Sequence, residues 1–241
     1  MLSTPEKIAF LLAALASAAL ALRAGLRLAR IIGRGRGRPE WSNLPGRLLS
    51  ALVKTVAFTP VFRTRLMTSL FHALVAWGFL YYLLVNLGDV LGAYIPGYDF
   101  FGRGTVGGLS RLGADLLGVG VLVGMTALLV RRYVLRPASL LVRNETLLHP
   151  RARQGIRRDS AIVGGFIVLH VGSRFLGESF HLAMGAGDGW RPLASVLAGL
   201  WVGWSPQVLE IARHVAWWMA LGLVLAFIPY FPQSKHIHLF F

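Results

Sequence analysis

The stretch AIVGGFIVLHVGSRFLGESFHLA, residues 161–183, decides the fold. As a helix it is long enough to cross a hydrocarbon core of roughly 30 Å, which takes about 20 residues. It also carries His170, Arg174, Glu178 and His181, at spacings of 4, 4 and 3. At about 100° per residue, the step from His170 to His181 returns within roughly 20° of its starting azimuth, so the four side chains share one face. Ionisable groups are costly in hydrocarbon, and a stripe this polar therefore turns away from lipid into the interior of a helical bundle. The fold class that follows is all-α, an integral membrane bundle.

Four further runs are long and apolar enough to cross, giving five expected transmembrane helices near 8–31, 66–88, 109–130, 160–183 and 207–231 in one domain spanning 1–241. The first run continues to Ile32 broken only by arginines, so it reads as a span and not as a cleaved leader. Composition agrees: 55% of the 241 residues are hydrophobic and 15% charged, with mean hydropathy +0.61. A soluble domain needs about a quarter of its residues charged. The net charge of +15 does not imply nucleic acid, because the basic residues sit in short loops without an aromatic-lined polar face beside them. With no cysteine there is no disulfide, no thiolate zinc site and no cysteine-ligated iron–sulfur cluster in the chain. A redox cofactor here must use histidine.

The loops set an expected orientation. Residues 30–65 carry eight Lys and Arg and residues 131–158 carry eight more, whereas the alternate loops carry one each, Arg103 and Arg191. The positive-inside rule then puts the N-terminus outside, both basic loops in the cytoplasm and the C-terminus in the cytoplasm. Residues 44–62 read as an amphipathic stretch on the inner surface, with Arg47 and Lys54 toward anionic headgroups, or as a plain solvated connector. The apolar loop 192–206, with Trp201 and Trp204, reads as interfacial.

Seven histidines are present, and His72, His170, His181 and His214 fall inside expected spans. Each has two readings, a hydrogen-bonded packing histidine or a cofactor ligand. As a set they supply what haem b needs, neutral imidazoles from different helices at matching depth. Because the second and fifth spans run in opposite directions, His72 shares the inner depth with His236 and His238, and His181 shares the outer depth with His214. His170 lies near the middle and can pair with either level. Arg174 is then a partner for a haem propionate or for Glu178. His149, in a basic loop, reads as solvated. Asp89, Asp115 and Glu210, near outer helix ends, also read as solvated, and any of them or Glu178 can take protons from a quinol.

Phe71-His72 at the start of the second span, with Gly78 and Phe79 following, and the ending Phe231-Pro232-Gln233-Ser234-Lys235-His236-Ile237-His238 resemble the gamma subunit of respiratory nitrate reductase, a five-helix dihaem cytochrome b. They look still more like the membrane domain that precedes iron–sulfur domains in heterodisulfide-reductase-like oxidoreductases. The resemblance implies haem b, electron transfer with quinone or menaquinone, and a bacterial or archaeal cytoplasmic membrane. It makes His72 and His238 the ligands of an inner haem, with His236 a propionate or interface residue. The family's second histidine in the second span falls near Tyr82, and its outer fifth-span histidine falls more than a turn after His214. An outer haem therefore takes a ligand from the fourth span, His181 by depth with His170 in reserve, or is absent. The fused relatives continue into a cysteine-rich domain, so the expected partner is a separate cytoplasmic iron–sulfur or flavoprotein subunit. The competing reading is an ion or proton transporter that uses His170, Arg174, Glu178 and His181 as a relay.

Overall fold

The computed structural model describes residues 2–37, 42–58, 62, 65–143, 145–234 and 237. These form helices α1 (Thr4–Ile32), α2 (Leu44–Ala57), α3 (Leu66–Tyr94), α4 (Thr105–Val130), α5 (Pro150–Ala183), α6 (Pro192–Ala198) and α7 (Pro206–Tyr230), with no strand among the described residues. A π-helical turn, Arg131–Leu135, extends α4, and short 3-10 turns follow α6 and α7. Five helices, α1, α3, α4, α5 and α7, are long and apolar enough to cross a membrane.

Four of the five expected spans begin or end well outside the boundaries read from sequence. Helix α1 starts at Thr4 because Ser3 closes its first turn, both its backbone N–H and its hydroxyl donating to Glu6 Oε2 at 2.8 and 2.7 Å. Helix α3 runs to Tyr94, past Asp89, because that carboxylate has a buried partner and does not end the span. Helix α4 starts at Thr105, since Gly107 and Gly108 serve close packing: a Cβ on Gly108 would sit 2.3 Å from the Trp190 ring. Helix α5 starts at Pro150, ten residues before its expected start, where proline costs no hydrogen bond and the His149 ring accepts from Arg151 N–H at 3.3 Å. The stretch 44–62 contains the exposed helix α2, and the apolar loop 192–206 contains α6.

The spans pack in the order α3, α4, α5, α7, α1, so the first helix meets the last. Small residues set the closest approaches. A Cβ on Gly78 of α3 would lie 2.0 Å from Val121 Cγ2 of α4, and one on Gly164 of α5 would lie 2.5 Å from Leu129 Cδ2 of α4. Tyr82, Val121, Met125, Val163, Ile167, Val171 and Phe227 make the core among α3, α4, α5 and α7. The outward faces remain apolar, with Leu12 62% and Leu22 64% exposed on α1, a surface that suits lipid and not water. At the end of the bundle where α1 begins, Tyr94 Oη donates to the Lys7 carbonyl at 2.6 Å and Lys7 Nζ donates back to the Tyr94 carbonyl at 3.2 Å, joining α1 to α3.

Candidate functional site

That amino-terminal end of the bundle holds a cavity of about 560 Å³ lined from α3, α4, α5 and α7. Three of the four members of the polar stripe of α5 line the cavity, Arg174, Glu178 and His181, whereas His170 does not. Arg174 lies between two carboxylates, with Nε 2.6 Å from Asp89 Oδ2 on α3 and a terminal nitrogen 3.3 Å from Glu178 Oε1. Arg191 pairs with the other oxygen of Glu178 and stands 3.5 Å from Asp188, which Arg111 of α4 meets at 2.8 Å. One alternating chain of charges thus runs from Asp89, well inside α3, to the 184–191 loop. Each buried charge has an opposite neighbour, which is what allows so many ions inside an apolar bundle.

The solvated reading of Asp89 and Asp115 does not hold. Asp89 is in that ion-pair chain, and Asp115, 4% exposed, accepts from the backbone N–H of Leu193 at 2.8 Å and of Ala194 at 3.0 Å. It satisfies the open first turn of α6 from a neighbouring helix. Glu210 is not simply solvated either, since Arg213 and His214 both reach it. The signal available in sequence was depth: Asp115 falls ten residues into α4, too far along a span to reach water.

The histidines take separate environments. His181 is exposed on α5 and His214 is partly buried on α7, and both line the cavity. His214 Nδ1 lies 2.9 Å from Glu6 Oε1 and Nε2 lies 3.0 Å from Glu210 Oε1, while Trp218 Nε1 donates to the same Glu6 oxygen at 3.1 Å. Glu6 was not among the residues picked from sequence. It sits in the first turn of α1, and besides Ser3 its partners are 208 or more residues away. Beside this cluster an apolar groove of about 800 Å³, lined by Ile211, Val215, Met219 and Leu223, follows α7.

His170 is buried and packed against Phe166 and Tyr82. Its Nδ1 is 2.9 Å from the Ala220 carbonyl, which requires an N–H there, and Nε2 is 3.3 Å from the Asn86 amide nitrogen, so both ring nitrogens are engaged. Asn86 Oδ1 is buried with no hydrogen-bond partner. His72 lies on the exposed side of α3 with the Phe58 ring edge-on at 5.6 Å. His236 and His238 lie outside the described residues, and so does the expected His72–His238 pairing. His149 is exposed, as read, and also caps α5. Compared with family models, curated proteins and solved structures, the chain matches none.

Proposed function

We propose that the chain is the haem b membrane subunit of a respiratory redox complex, passing electrons between a quinone pool and a separate cytoplasmic iron–sulfur or flavin partner. The observation that carries this reading is the 560 Å³ cavity, to which α5 and α7 contribute His181 and His214 alongside Arg174, Arg191 and Arg213. Its volume falls within the roughly 300–1,000 Å³ of ligand pockets. The residues suit a haem: imidazoles from two helices for the iron, guanidinium groups for carboxylates, and apolar walls that include Leu84, Phe175 and Leu221. His214 must give up either Glu6 or Glu210 to act as a ligand.

In this reading His181 and His214 hold an outer haem and His72 and His238 an inner one. Haem supplies a one-electron carrier between a two-electron quinol and the partner. The chain's own groups keep the cavity charged on one side and apolar on the other. Among the carboxylates that line the cavity, Asp89 and Glu178, beside Arg174, are the proposed acceptors of the two protons a quinol releases. The loop charges support an outside N-terminus and a cytoplasmic C-terminus.

The charge chain from Asp89 to Arg111 favours one competitor, a proton or ion relay. Beyond His170, however, α5 turns Val163, Gly164 and Ile167 inward against Val121, Met125 and Phe227. A relay confined to one half of the bundle serves a redox site on that side better than transport across it. A reduced-minus-oxidised absorption spectrum of the purified protein decides: no haem band ends the proposal. Given a band, His181→Ala and His214→Ala should each remove the same haem, while His170→Ala should remove none. Loss of a haem in His170→Ala alone assigns the ligand to His170.

A further inference from the structure

The opposite end of the bundle carries a second charged feature. The first ten residues of α5, Pro150 to Asp159, extend the helix beyond its apolar run and include Arg151, Arg153, Arg157 and Arg158. The π-helical turn after α4 pins this extension: Tyr133 Oη donates to the Arg157 carbonyl at 2.6 Å and Arg132 donates to the Ile156 carbonyl at 3.3 Å. Arg157 lies 5.9 Å from the Tyr133 ring, and Arg153 donates to the Arg143 and Thr146 carbonyls. Arg153 and Arg157, four residues apart, thus fasten one side of the helix. Arg151 and Arg158, seven apart and both exposed, share the other side. None of these arginines forms an ion pair with a carboxylate among the described residues.

Height separates two kinds of anionic partner. The bond between Tyr133 and Arg157 aligns α4 with α5, and the apolar runs end at Val130 and begin at Ala161, so the hydrocarbon edge lies near Ser160. At about 1.5 Å per residue, Arg151 stands roughly 13 Å beyond that edge, whereas one headgroup layer is about 5–8 Å thick. Arg158 is within reach of headgroups, but Arg151 and Arg153 are above them.

We infer that this pinned, arginine-bearing end of α5 is a docking platform for an acidic protein surface, that of the partner subunit. The inference rests on the two-component reading above only for the partner's identity. Its chemistry is many weak contacts between arginines and carboxylates, sensitive to salt, that steer and orient association. The fixed helix lowers the ordering cost of presenting them.

The test uses the full chain in nanodiscs of phosphatidylcholine and a fluorescein-labelled polyglutamate peptide, read by anisotropy. The double variant Arg151→Glu, Arg158→Glu, which leaves the pinning residues Arg153 and Arg157 in place, should weaken binding roughly tenfold, as expected for exposed charge contacts reversed together. The control variant Arg34→Glu, Arg36→Glu changes net charge equally at the other basic loop and should leave binding within about twofold. Equal loss in both variants, or none in the first, overturns the platform. Loss of wild-type binding when phosphatidylglycerol is added to the nanodisc also overturns it, because headgroups then occupy the arginines. Haem plays no part in the measurement, so a protein without haem can still pass it.

Discussion

Replacing Asp89 by Asn isolates the electrostatic centre of the bundle. The substitution keeps the shape but leaves Arg174, whose side chain is 13% exposed, with Glu178 as its one remaining carboxylate, which Arg191 also claims. Breaking a buried ion pair from one side costs about 3–5 kcal/mol. Glu178 at 3.3 Å and the 25% exposure of Asp89 place this case at the low end, about 3 kcal/mol. For a chain of this size that is a fall of roughly 6–12 °C in thermal midpoint, measurable in detergent from tryptophan fluorescence. The double variant Asp89→Leu, Arg174→Leu removes both charges, and it should recover most of the loss, because desolvating the pair offsets much of its attraction. A fall of under about 2 °C in Asp89→Asn, or a double variant less stable than Asp89→Asn, refutes the reasoning.

Gly78→Ala puts a methyl 2.0 Å from Val121 Cγ2 and should cost about 1–3 kcal/mol in the same melting assay, with Val121→Ala in the same chain restoring part of it. Asp115→Ala removes the acceptor for Leu193 and Ala194, and amide exchange across Pro192–Ala198 should quicken by roughly tenfold or more while exchange in α3 stays as it was. A cysteine at position 104, in the loop between α3 and α4, should react with a membrane-impermeant maleimide added to intact cells; reaction only after lysis reverses the proposed orientation.

The five spans were legible because hydrophobic length is a local property, written continuously along the chain. Some of their ends were not, since those depend on a distant group. Asp89 looks like a terminator until Arg174, 85 residues later, neutralises it. The helical start of α5 depends on a histidine cap and on pinning by Tyr133, and the charged run Arg151 to Arg158 alone reads as loop. The polar stripe of α5 was predictable in azimuth because 3.6-residue periodicity fixes which side chains share a face. Periodicity says nothing about which helix stands opposite. The pairing of His170 with Asn86 and Ala220, and of His214 with Glu6, therefore had no sequence signal.

The packing of the first span against the last has a consequence for how the chain is made. Ser17 of α1 donates to the Leu225 carbonyl of α7, 208 residues downstream. Synthesis proceeds at about 5–20 residues per second, so α1 is made roughly 10–40 s before its principal neighbour exists. Through that interval its tie to the rest of the chain is the Tyr94–Lys7 pair with α3, and Glu6 lacks both His214 and Trp218. Its lipid-ready leucines and the arginines at its far end equip it for that wait. Assembly of the described bundle is completed only once α7 has been made and docks against α1.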